Sequence, residues 1–126
     1  MQKKFTLYTT SILPSGFKYP EHYIQLSKGI DFPENFIWWF EDANMEGGEL
    51  AWNLRMKYKE WKHIGERNLI PFAQLNDDAA FFDGDDTTGN PRVIVIDLGN
   101  KQRSYELESF EDWLNDALED SGIKKE

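Results

Sequence analysis

A chain of 126 residues, 40% hydrophobic and 15% aromatic, is long enough for one domain, residues 1–126, built on one packed core, and its composition is not that of a disordered polymer. No apolar run approaches the ~20 residues of a membrane-spanning helix, and the absence of cysteine excludes a disulfide framework, a thiolate zinc site and a thiol nucleophile. The net charge of −9 disfavours nucleic acid and suits basic partners.

The start, MQKKFTLYTTSILPSG, has a short basic head but no long apolar stretch or small-residue cleavage site. No secretion signal is expected, and the expected location is the cytoplasm. Residues 3–9 are expected to form a strand. Residues 20–28 read as a helix, with Pro20 in the first turn, Tyr23, Ile24 and Leu26 apolar, and Gly29 ending it. Residues 35–40 contain FIWWF and read as a strand or a short helix. In a strand the consecutive Trp38 and Trp39 point to opposite faces, leaving one of them exposed. Gly47-Gly48 reads as a break. Beyond it, Leu50, Ala51, Leu54, Tyr58 and Trp61 share a helical face, while Leu50, Trp52, Leu54, Met56 and Tyr58 alternate equally well. The abundance of Leu, Ala, Arg, Met, Lys and Glu favours helix.

The second half is easier to read. Residues 69–74 (LIPFAQ) form a short strand whose proline predicts an edge or irregular position. Asn76-Asp77-Asp78 supplies turn chemistry. Residues 79–83 form the next strand. Residues 92–98 contain VIVI, a β-branched run suited to burial on both faces, and residues 103–108 alternate with Tyr105 and Leu107 on one face. The short connections predict a four-strand antiparallel meander. A helix closes the chain. Ser109 is its N-cap, with Asp112 at the capping-box position. Phe110, Trp113, Leu114, Ala117 and Leu118 make one apolar stripe, and Gly122 lies just past the end. The fold class expected is α+β.

Charge is divided sharply along the chain. Residues 1–75 hold nine acidic and nine basic side chains; residues 76–126 hold fourteen and five, so the whole −9 lies there. The densest acidic segment is FFDGDDTTGNP, residues 81–91. As an EF-hand loop starting at Asp83 it would need glycine at position 6 and glutamate at position 12, and it has Thr88 and Ile94. In a meander, Asp77-Asp78 and Asp85-Asp86 also fall at opposite ends of the sheet. No metal site is expected. His22 and His63 both read as surface residues without a nucleophile motif, and no phosphate-binding glycine motif occurs.

The segment LIPFAQLNDDAAFFDGDDTTGNPRVIVIDLGNKQRSYELESFEDWLNDALED resembles the C-terminal half of the SUKH superfamily, which unites fungal cell-wall-assembly regulators with many bacterial immunity proteins. The matching pieces are Ile70-Pro71-Phe72-Ala73, an aromatic strand ending in Asp83-Gly84, a loop with Gly89 and Pro91, the aliphatic strand, and the S-F-x-x-W-L start of the last helix at Ser109. The glycine-rich turn usual after I-P-F-A is Asn76-Asp77-Asp78 here. The family's N-terminal Pro-acid-x-aromatic helix has two matches, one at Pro20 running to Gly29 and one at Pro33. The resemblance implies helices packed on a mostly antiparallel sheet and no catalytic residues.

The resulting expectation is a non-enzymatic protein-binding domain. Its leading form is an immunity protein that binds and neutralises a cognate bacterial toxin; the resemblance implies that many such toxins are basic nucleases, which an acidic inhibitor complements. The alternatives are a regulatory scaffold like the fungal members and a small carboxylate-based hydrolase. No cofactor, membrane or nucleic-acid partner is expected, and the chain is expected to be a monomer or weak homodimer. Partner contacts are expected at Asp77, Asp78, Asp85, Asp86 and an exposed Trp39, with the 83–90 loop favoured because it is longer and can reach into a toxin cleft.

Overall fold

Val93, Ile94, Val95 and Ile96 are all buried, as a β-branched run covered on both faces must be. Alternation sends Val93 and Val95 into the larger core and Ile94 and Ile96 into a smaller cluster with Leu69 and Phe81 on the opposite face. The computed structural model describes residues 3–55, 68–97, 99 and 103–122. Within them lie α1 (Glu21–Ser27), β1 (Trp39–Phe40), α2 (Glu46–Leu54), β2 (Leu69–Leu75), β3 (Asp78–Asp83), β4 (Val93–Asp97), β5 (Ser104–Leu107) and α3 (Phe110–Asp120). The strands form one sheet in the order β1-β2-β3-β4-β5, antiparallel throughout. The fold is α+β, and β2 to β5 are the meander expected from sequence.

α1 and α3 cover the face carrying Phe72, Phe82, Val93 and Val95. From α3, Phe110, Trp113, Leu114 and Ala117 enter this core, and from α1, Tyr23 and Leu26. Tyr23 is the aromatic hub, its ring 5.1–6.0 Å from those of Tyr19, Phe5, Phe40, Phe72, Phe82 and Phe110. The helix ends follow the sequence signals. Ser109 Oγ accepts the Asp112 N–H at 3.2 Å. After α1 the chain turns left-handed at Gly29, with Gly29 N–H donating to Leu26 and Ile30 N–H to Gln25, a Schellman closure. α2 lies against β2 from the other face.

Two expectations are corrected, and the strand-or-helix choice at residues 35–40 is resolved as a short strand. Residues 3–9 join no ladder. Their backbone is used sideways: Phe5 N–H donates to the Ser27 carbonyl at the end of α1, and the Thr6 carbonyl accepts the Ala43 N–H. Within 35–40 only Trp39 and Phe40 pair, with Gln74 and Ala73. Gly47-Gly48 does not break the helix but lies inside its first turn. A Cβ on Gly48 would stand 1.9 Å from the Asp42 carbonyl oxygen, so α2 approaches the preceding segment more closely than any side chain allows. The helix expected beyond residue 55 lies outside the described residues. Pro71 sits where β2 and β3 shift register, between Pro71↔Phe81 and Ala73↔Ala80, so the irregularity predicted from the proline is a bulge.

Candidate partner interface

The acids of the 83–90 loop first serve the loop itself. Asp83 Oδ1 accepts the Asp85 N–H at 3.0 Å. Asp85 accepts from the side chain of Asn68 at 2.8 Å and from its backbone at 3.3 Å. Asp86 Oδ1 takes both the hydroxyl and the N–H of Thr88, at 2.6 and 3.0 Å, and its Oδ2 takes the Arg92 N–H at 3.2 Å. The bonds of Asp83 and Asp86 are the local ones that Asp makes in turns, whereas those of Asp85 tie the loop to Asn68, just ahead of β2. Burial pushes the Asp86 pKa up, but the bonds from Thr88 and Arg92 outweigh it and the net shift is downward. The stretch that reads as a cation loop is a self-bonded connection between β3 and β4. Among the described residues no group of three or more His, Asp or Glu is placed to hold an ion.

Asp77 and Asp78 lie at the other end of the sheet, Asp77 in the β2–β3 turn, where Asn76 is left-handed, and Asp78 as the first residue of β3. Asp78 stands opposite Asp97 on β4. Burial and then the Asp97 charge raise its pKa, against the pull of Arg103. Trp39 belongs to this end, because its β1 position is paired with Gln74, just before the turn. Of the five expected contact residues, the structure therefore groups Trp39, Asp77 and Asp78, and sets Asp85 and Asp86 apart. Trp38 and Trp39 do point to opposite faces: Trp38 is buried against Trp113, whereas Trp39 is 49% exposed.

Sequence reasoning missed the residue two positions on. The Glu41 N–H donates to the Phe72 carbonyl, continuing the β1–β2 ladder. Alternation then puts the Glu41 side chain on the same face as Trp39. Glu41 is only 5% exposed and borders a cavity of about 150 Å³ between α2 and the sheet. Its walls include Leu50, Ala51 and Leu54 of α2 and Pro71, Ala79 and Phe81 of β2 and β3, with Gln74 as a further polar member. Burial alone raises the Glu41 pKa to about 7. An acid alternating with an exposed tryptophan was the available signal, but the cavity forms only where α2 packs onto the sheet, an approach between distant segments.

A larger cleft, about 470 Å³, lies beside Tyr8, Trp52 and Asn44. Two of its polar side chains are engaged: Tyr8 donates to the Gly48 carbonyl at 2.6 Å, and Asn44 to the Thr6 hydroxyl at 3.1 Å. The Arg55 guanidinium carbon sits 4.0 Å from the centre of the Trp52 ring. His22 is partly exposed and pairs with Glu111 at 2.5 Å, tying α1 to α3; His63 lies outside the described residues. Comparison with protein-family models, with curated proteins and with solved structures finds no match to this chain.

Proposed function

We propose that this chain is a non-enzymatic protein-binding domain of the SUKH type, acting as a cytoplasmic immunity protein that binds a cognate bacterial toxin and blocks it. The observation that carries this reading is the placement of Trp39. A tryptophan half out of solvent on a two-residue edge strand, at the acidic end of the sheet, has the make-up of an interface anchor with a charged rim. Membership of the family is part of the proposal. In its support, the I-P-F-A segment lies in β2, Asp83 ends β3 with Gly84 directly after it, VIVID is β4 and Ser109 caps α3. No described helix is long and apolar enough to cross a membrane.

The test is co-expression with a toxin encoded beside this gene. The expected result is rescue of growth and a stable complex, with Trp39→Ala weakening both. A toxin that stays fully active under excess of this chain would overturn the immunity role; a complex without inhibition would assign the chain to the scaffold role instead.

A further inference from the structure

Removing a carboxylate from water is costly unless it is paired or stays protonated. Glu41 is nineteen-twentieths buried, and among the described residues no cation or hydrogen-bond donor meets its carboxylate. The titratable groups near enough to feel it or be felt are Tyr8 and Tyr23, with Asp42 beside them, and none brings a positive charge. Arg55, at the end of α2, is turned onto the face of Trp52. The carboxylate borders a cavity that is otherwise mostly aliphatic. Leu50, on the α2 side, is 55% exposed, and Trp39 stands on the same strand face as Glu41.

The shape of this site is that of a slot for an alkyl chain ending in a cation. Its size decides what kind. Pockets for drug-sized ligands hold roughly 300–1,000 Å³, whereas a cavity near 150 Å³ takes about one benzene-sized group. That fits a side chain and is too small for a cofactor. The acceptors are few, the Glu41 carboxylate and the Gln74 amide oxygen, which suits the compact ammonium of lysine better than the five donors of arginine.

We infer that the cavity between α2 and the β1–β2–β3 edge is the docking slot for a lysine side chain of the partner protein, its methylenes lying against Leu50, Ala51, Pro71 and Ala79 and its ammonium meeting Glu41. Trp39 is paired with the lining residue Gln74 and shares the strand face of Glu41, so its exposed ring is the apolar and cation–π surface over which the lysine stem would arrive. The inference rests on the protein-binding reading only for the source of the lysine; the slot itself can be tested alone.

The experiment uses the whole chain, labelled at Ala and Leu methyls, near pH ~8, about a unit above the Glu41 titration. It is titrated with N-acetyl-lysine methylamide, with the uncharged N-acetyl-norleucine methylamide, and with free cadaverine. The expected result is saturable shifts at Leu50, Ala51 and Ala79 with the capped lysine. The norleucine probe should bind about tenfold more weakly, and Glu41→Gln should bring the lysine probe to that level, the scale of one charge-assisted hydrogen bond. Ala51→Leu, which fills the slot and leaves Glu41 in place, should also abolish the shifts. Equal binding of lysine and norleucine probes, or lysine binding unchanged by Glu41→Gln, overturns the proposal. Binding of cadaverine without the capped lysine makes the occupant a free amine and overturns it too. A chain that takes the lysine probe but neutralises no toxin sinks the immunity reading and leaves the slot. Neutralisation without lysine binding sinks the slot and leaves the reading.

Discussion

The Tyr8 hydroxyl donates to the carbonyl of Gly48 at 2.6 Å, across forty positions of sequence. This bond and the contact of Gly48 with Asp42 fix where α2 sits, and so fix the cavity beneath it. The two residues should respond differently to substitution. Tyr8→Phe removes one buried hydrogen bond and should cost about 1 kcal/mol. Gly48→Ala forces α2 outward and should cost about 1–3 kcal/mol, the range of overpacked cores. Urea unfolding of both variants checks this. An alanine tolerated at Gly48 without loss would mean that α2 does not approach so closely.

Glu41 makes stability depend on pH in the direction opposite to most carboxylates. Its folded pKa, about 7, lies above the ~4.3 of an unfolded glutamate, so the folded state holds the proton more tightly. Its contribution is whole below pH ~4.3 and is lost as pH rises to and through 7. The full change is on the order of 3 kcal/mol. Glu41→Gln should therefore match the parent chain near pH ~4 and exceed it near pH ~8. Subtracting the two curves isolates Glu41 from groups with the opposite sign, such as Asp86, whose stabilising bonds are lost as pH falls. A difference that does not change between the two pH values would mean that the carboxyl is not desolvated.

Much of this architecture is legible in the sequence. The continuous β-branched run VIVI, the stripe from Phe110 to Ala117, the cap at Ser109 and the turn residues between strands all act locally, and each appears where its pattern places it. What the sequence did not reveal depends on approach between distant segments. Nothing near Lys3 says that its strand-like stretch will bond to Ser27 and Ala43 instead of a neighbouring strand. Gly47-Gly48 has the composition of a break, and only the nearness of Asp42 makes it a helical contact. The site divides in the same way. The aspartates of the 83–90 loop stand out by composition but bond to their own loop and to Asn68, while Glu41 follows an aromatic run inconspicuously and ends buried.

Leu114 tests the packing of α3. It is buried on the sheet beside Trp113, so Leu114→Ala should cost roughly 2–5 kcal/mol in chemical denaturation. A loss below about half a kcal/mol, the range of an exposed substitution, would mean that the apolar stripe does not face the core.

Asp86 tests whether the 83–90 loop is structural. Asn in its place can still accept from Thr88, but its amide nitrogen cannot accept the Arg92 N–H. Asp86→Asn should lower stability by about 1 kcal/mol. Calcium added to the parent chain should give no tight saturable heat in calorimetry, because the loop lacks the ligand spacing and its carboxylates already bond within it and to Asn68. A micromolar site would refute this account of the loop.

The grouping of Trp39 with Asp77 and Asp78 leads to a kinetic prediction for the proposed toxin complex. Exposed charges at a rim mainly set the rate of encounter, whereas a desolvated aromatic holds the complex together. Replacing Asp77 and Asp78 together by Asn should slow association and flatten its dependence on salt, with little effect on dissociation. Trp39→Ala should speed dissociation instead. The pair Asp85 and Asp86 provides the contrast. They lie at the far end of the sheet from Trp39, Asp85 bonded to Asn68 ahead of β2 and Asp86 to Thr88 and Arg92 within its own connection. Their neutralisation should change association less than that of Asp77 and Asp78, although the length of the 83–90 loop alone would favour it as the contact. Stopped-flow measurements at two salt concentrations distinguish the two ends. If the 83–90 pair carries the larger effect on association, the partner approaches from the end of the sheet opposite Trp39, and Trp39→Ala should then leave the lifetime of the complex unchanged.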